Sequence, residues 1–195
     1  MDYLFTPWRY SYVTGTGPGD RAGDKRVGVP PELAAWPGDQ HCVFCNLHRS
    51  SAYAAQNGMD PVAADRAAYI VHRGQHCFVC LNAFPYSSGH VMVIPYEHQQ
   101  SLASLAEDAA LEMMQLARRT ETVLREVYAP QGINLGMNLG KAAGAGVDEH
   151  LHLHVLPRWL GDTNFMTVTA ETRILPEALE ITWDRLHAAY EKTAR

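Results

Sequence analysis

Seven residues constrain the fold of this chain more than any others: His150-Leu151-His152-Leu153-His154-Val155-Leu156. Strict alternation of histidine with aliphatic residues is a strand pattern, because successive side chains in a strand point to opposite faces. The three imidazoles therefore share one face, and Leu151, Leu153 and Val155 line the other. That second face packs on a core while the first looks into a cleft. With only ten histidines in 195 residues, three on consecutive same-face positions do not suit an ordinary solvated strand.

Strand geometry limits what the run does. At about 3.3 Å per residue, neighbouring histidines stand about 6–7 Å apart and the outer two about 13 Å. One metal ion, with ligand bonds near 2 Å, does not collect all three. Two readings remain open on the residues alone. Two neighbours chelate a catalytic metal, or the middle imidazole is a nucleophile toward phosphorus while its neighbours do other work.

The segment before the run favours phosphate chemistry. Asn138, Gly140, Lys141, Gly144 and Gly146 make a glycine-rich turn whose backbone N–H groups suit an anion, with Lys141 adding a cation. Elsewhere the chain shows no basic cluster, and its formal charge is −5, which argues against a nucleic-acid surface. The longest strongly apolar stretch, Val91-Met92-Val93-Ile94, is far too short to span a bilayer, and no basic, apolar leader opens the chain. The expectation is a cytoplasmic domain that binds neither membrane nor nucleic acid.

Two organisational zones are expected. Residues 1–40 combine an aromatic anchor (Tyr3, Phe5, Trp8, Tyr10, Tyr12) with an irregular Gly/Pro connector over 15–39, and residues 41–195 form the catalytic domain. Within the latter, strands are expected at 69–72, 77–81, 90–95, 133–139 and 151–156, with a turn at Arg73-Gly74. Ser104 to Glu107 has the form of a capping box. Leu105, Ala109, Met113, Leu116, Thr120, Val123 and Val127 then make one helical stripe that stops before Pro130. Pro176 opens a C-terminal helix with Leu179, Trp183, Leu186 and Tyr190 on one face. Several strands around one long helix make an α+β, largely antiparallel domain.

His150–Leu156 resembles the His-φ-His-φ-His-φ-φ signature of the histidine-triad (HIT) superfamily of nucleotide hydrolases and transferases. The segments Asn82–Pro95 and Pro157–Phe165, and the opening Phe5–Tyr10, are similar to the same family. Pro157–Phe165 is most similar to its bacterial diadenosine tetraphosphate phosphorylase branch. The resemblance implies a five-stranded antiparallel sheet with helices, commonly paired into a homodimer or a dimer of dimers. It implies His152 as the nucleophile that attacks the α-phosphorus and forms a nucleotidyl-histidine, and His154 as its phosphate-contacting partner. It places Asn82, His90 and Trp159 on the nucleotide side, and Asn138, Gly144 and Gly146 at the phosphates, beside the cation that Lys141 offers on the loop reading above. The implied substrate is an adenosine nucleotide or dinucleoside polyphosphate, with inorganic phosphate or water as second acceptor. Many relatives carry Ser or Thr just before the triad, where this chain has Gly146-Val147-Asp148-Glu149 and no hydroxyl.

Two Cys-x-x-Cys pairs occur, Cys42/Cys45 and Cys77/Cys80. The second sits in a strand, where positions three apart face opposite sides and cannot chelate together, so Cys77 and Cys80 read as core thiols. The first follows Pro37-Gly38-Asp39, where a knuckle turn forms. The resemblance implies that His98 and His150 complete a closed Cys₂His₂ structural zinc site, with His41 a rival ligand and no catalytic cofactor required. His48, His72, His76 and His187 read as surface residues. A metallohydrolase, with Asp162 the only acid soon after the triad, and a non-catalytic nucleotide-binding module are the rival functions.

Overall fold

The structure, a computed structural model, describes residues 26–162 and 177–193. The aromatic anchor, Pro176 and the end of the Pro157–Phe165 segment lie outside the described residues. Five antiparallel strands form one sheet: β1 (Ile70–Arg73), β2 (Cys77–Leu81), β3 (Val91–Pro95), β4 (Gly132–Gly136) and β5 (Leu153–Arg158), in the spatial order β1-β2-β3-β5-β4. Helices α1 (Val43–Gln56) and α2 (Pro61–Ala67) precede the sheet in sequence, α3 (Glu107–Tyr128) joins β3 to β4, and α4 (Leu179–Thr193) is the last. This is the expected α+β architecture.

Alternation along the strands builds two cores. Val71, Cys77, Val79, Val91, Val93, Leu153 and Val155 pack with Met113, Leu116 and Leu124 of α3 and Trp183, Leu186 and Tyr190 of α4. Ile70, Phe78, Cys80, Met92 and Ile94 point the other way and pack with Phe44 and Cys45 of α1. Cys77 and Cys80 thus fall on opposite faces, and burial pushes both thiols up to about 12, which leaves them protonated and inert.

The α3 stripe buries as its spacing requires, but the capping box does not form. The helix starts at Glu107 with Ala106 as N-cap, and no side chain caps it. Ser104 instead ends a short 3-10 turn, and Leu105 follows in an extended conformation that buries its side chain. Burial of Leu105 outweighs a cap worth about 1 kcal/mol. Glu112 joins α3 to the β1–β2 hairpin, its carboxylate accepting from the backbone N–H groups of Gln75, His76 and Cys77.

The described part of the connector is packed. Pro31–Leu33 is a 3-10 turn, Leu33 is buried in the second core, and Arg26 donates to the carbonyls of Ala34 and Gly38. β4 is an edge strand whose residues are half-buried or exposed, and it ends at Gly136, short of the expected Leu139. Among the described residues, no helix is long and apolar enough to cross a membrane.

Candidate active site and metal centre

β5 begins at Leu153, later than the alternating pattern suggests, so His150 and His152 stand on the segment leading into it. Ladder pairing to β3 covers Leu153, His154 and Val155 only. His154 lies opposite Met92, on the face that α1 covers over β1–β3, while the β5–β4 part of that face carries His152 and His154.

The three imidazoles have different partners. His150 is fully buried; its Nε2–H donates to the Pro95 carbonyl at 2.9 Å, which turns Nδ1 toward Cys42 Sγ at 3.3 Å and Cys45 Sγ at 3.5 Å. His152 donates from Nδ1–H to the His150 carbonyl at 2.9 Å. That bond fixes the tautomer and leaves Nε2 with a free lone pair. Burial holds the His152 pKa below the usual imidazole value, so the ring is neutral near pH 7.

A second chain of bonds fixes His154. The backbone N–H of Tyr86 donates to His90 Nδ1 at 3.1 Å, so the neutral His90 carries its proton on Nε2. From there it donates to His154 Nδ1 at 2.9 Å. The remaining proton of a neutral His154 therefore sits on Nε2. Burial, reinforced by His152, pushes the His154 pKa down to about 4. The His152 and His154 rings lie 4.8 Å apart, closer than strand spacing alone implies, because they tilt edge to face at 78°.

His90 is only 1% exposed, so its reach toward a nucleotide runs through His154. Asn82 is half-buried beside it: its backbone N–H donates to the His90 carbonyl at 3.0 Å, and its Oδ1 accepts from Phe84 N at 2.9 Å. Asn138 lies two residues beyond the end of β4, whose last ladder pair is Gly136–His154. In the glycine-rich loop, the N–H groups of Ala143, Gly144 and Ala145 bond to the loop's own carbonyls, which leaves fewer donors for an anion than its composition suggests. Lys141 is exposed and lies 3.8 Å from Asp148. Trp159 is not brought to this cluster. It meets Tyr128 at the end of α3, on the opposite face of the sheet from His152 and His154.

At the other end of the triad, Cys42, Cys45, His98 and His150 offer four ligand atoms that all lie within 4.8 Å of one another. His98 Nδ1 stands 3.4 Å from Cys45 Sγ. These separations suit a tetrahedron of N and S ligands around one ion, and the Pro95 carbonyl provides the outer partner that metal-bound imidazoles use. Burial, then the neighbouring Cys42, pushes the Cys45 thiol up to about 12, so a cation's charge has to draw off its proton. The knuckle forms where His41 takes a positive φ of 54° and its N–H is held by Asp39 Oδ1. His41 itself points outward and pairs with Asp39, away from the four ligands.

Three of the histidines read as surface residues are packed instead. His48 lies against Phe78 and Tyr96, His72 stacks on Tyr190, and His187 stacks on Trp183. Asp162 is engaged bidentately by Arg158 at 2.6 and 2.8 Å. Among the described residues, the one metal-capable cluster contains His150 alone of the triad, which gives the metallohydrolase reading no support. Two contributors carry no signal in the sequence. The Tyr86 contact is a backbone N–H and carries no residue signature. Phe44, between the two cysteines, packs on both His150 and His152 with centroids at 5.5 and 5.1 Å.

Comparison with known proteins gives consistent findings. The HIT domain family model matches residues 64–159. The AP-4-A phosphorylase of Mycobacterium tuberculosis is 39% identical over 134 residues, 68% of this chain and 69% of that protein. A HIT-like protein of Saccharolobus solfataricus is 27% identical over 64% of this chain and 79% of its own length. A zinc-bound histidine triad family protein from Mycobacterium smegmatis superposes with a TM-score of 0.57 at 27% identity, covering 78% of this chain and 95% of that one. A histidine triad nucleotide-binding protein from Sulfolobus tokodaii shares the fold, with a TM-score of 0.59 at 24% identity.

Proposed function

This chain belongs to the HIT domain family, and from that premise we propose that it splits a dinucleoside polyphosphate of the diadenosine tetraphosphate type through a covalent nucleotidyl-His152. One observation carries the mechanism: His152 Nδ1–H is held by the His150 carbonyl, so Nε2 is the unprotonated nitrogen of a neutral ring and serves as the nucleophile.

In the first step His152 Nε2 forms a bond to the α-phosphorus, and the bond from that phosphorus to the bridging oxygen breaks. Adenosine triphosphate leaves from a tetraphosphate substrate. His154 Nε2–H, aligned by the His90 and Tyr86 N–H relay, donates to oxygen where charge develops. In the second step inorganic phosphate attacks the adenylyl-His152 phosphorus, releases the imidazole, and yields ADP. The 39% identity to a protein named AP-4-A phosphorylase supports phosphate over water as this acceptor. Asn82, beside His90, and Asn138, in the loop after β4, serve nucleotide and phosphate contacts in this reading. The glycine loop, with Lys141, Gly144 and Gly146, supplies the remaining phosphate contacts.

The donor set of Cys42, Cys45, His98 and His150 suits a zinc ion that serves as a closed cross-link between the α1 knuckle and the nucleophile segment. The same reading includes a homodimer in the cytoplasm. Supporting the dimer, β4 is an unpaired edge among the described residues, with Leu135 45% exposed. The test of the activity is incubation of diadenosine tetraphosphate with and without inorganic phosphate. ADP formed together with ATP only when phosphate is present supports phosphorolysis. AMP in both conditions shows hydrolysis, and intact substrate over hours reduces the protein to a binding module.

A further inference from the structure

The nucleophile does not stand on the ladder of the sheet. β3–β5 pairing stops at Leu153, so His150–His152 is held by other means. Leu151 N–H donates to the Gln99 carbonyl at 2.6 Å. The His150 ring is pinned between the Pro95 carbonyl and the two thiols. A further anchor is Phe44. Its ring is buried, edge-on to His150 at 89° and tilted at 57° to His152.

Phe44 sits in the first turn of α1, two residues after Cys42 and one before Cys45. The turn that presents both thiols therefore also sets the position of this ring. His152 consequently has one contact that originates at the knuckle, the Phe44 ring, and one, its Nδ1–H bond, to the backbone of His150, whose own ring meets both thiols.

We infer that Phe44 is a positioning residue for His152, and that the Cys42–Cys45 knuckle makes the orientation of the nucleophile depend on metal occupancy. The inference rests on the reading of His152 as nucleophile. The physical basis is the steep dependence of a displacement on nucleophile placement: about 1 Å of misplacement costs about a hundredfold in rate. Phe44 excludes other rotamers of His152 on one side, and the His150 carbonyl fixes the ring's rotation. Loss of either leaves the imidazole in place but badly aimed.

The experiment compares the zinc-loaded wild type, the chelator-treated wild type, Phe44→Ala and Phe44→Leu. Zinc per chain, kcat, KM and the ¹⁵N NMR signals of the His152 imidazole are measured for each. Phe44→Ala is expected to keep its zinc and its KM within about twofold. Its kcat falls by about ten- to a hundredfold, and the His152 Nδ1–H signal broadens or exchanges faster. Phe44→Leu, which restores bulk, recovers part of kcat and of the signal, and stands in should the alanine variant not fold. Chelation of the wild type produces the same change in the His152 signal. An unchanged signal in Phe44→Ala or after chelation overturns the inference, as does a kcat loss in Phe44→Ala that is fully accounted for by zinc missing from that variant. Failure of the nucleophile reading looks different: His152→Ala then turns over substrate, while the signal still responds to Phe44→Ala.

Discussion

His90 Nε2 and His154 Nδ1 are 2.9 Å apart, and the bond between them has a defined direction because Tyr86 N–H occupies the other nitrogen of His90. His90 is thereby a donor, His154 an acceptor at Nδ1, and a neutral His154 carries its proton on Nε2. Replacing His90 with Leu keeps much of the volume and removes the donor. Turnover should fall by about 10²-fold with KM little changed. A KM rise at constant kcat in steady-state assays would assign His90 to substrate binding instead.

Stability should decline in mild acid. His48 and His154 are both pushed down to about 4 by burial, from an unfolded value near 6.5. The unfolded chain therefore binds more protons than the native one between those values. Their contribution is complete above pH 6.5, is lost as pH falls from 6.5 to 4, and changes no further below. Urea midpoints at pH 7.5, 6 and 5 should fall in that order; a flat series contradicts the burial of these rings.

The two cysteine pairs should separate cleanly. Cys45→Ser is expected to lower zinc content and to reduce Tm by several degrees, given that about 1 kcal/mol shifts Tm by about 2–4 °C in a chain of this size. Cys80→Ala should keep full zinc and lose about 1 kcal/mol for its small cavity. Metal analysis beside thermal melts checks both. Zinc loss in Cys80→Ala would reassign the ligands.

Gly89 sits between the Tyr86 turn and His90 with φ of +81°, and a Cβ there would come within 2.7 Å of the Tyr128 ring. Gly89→Ala should destabilise by about 1–3 kcal/mol, read from urea unfolding. A neutral result would show that the turn relaxes without disturbing α3.

The period-2 histidine run and the α3 stripe were legible because burial on one face enforces each pattern. Trp159 follows directly after β5 and meets Tyr128 of α3 instead of His152 and His154, which its place in the sequence does not reveal. Other features were not legible either. Ser104 to Glu107 has a capping sequence, but the depth of Leu105 decides where α3 starts. The Cys42/Cys45 pair is visible, whereas its convergence with His98 and His150, more than fifty and a hundred residues away in sequence, needs the sheet to bring the segments together. The Tyr86 relay uses a backbone N–H, which every non-proline residue offers.

The measurement that tests the central claim most directly is capture of the covalent intermediate. The protein is mixed with diadenosine tetraphosphate without inorganic phosphate, quenched at alkaline pH, digested and analysed by mass spectrometry. The account predicts an adenylyl group on the peptide at His152, absent in His152→Ala and discharged as ADP when phosphate is added before the quench. An unmodified His152 peptide under single-turnover conditions, together with retained turnover in His152→Ala, would contradict it.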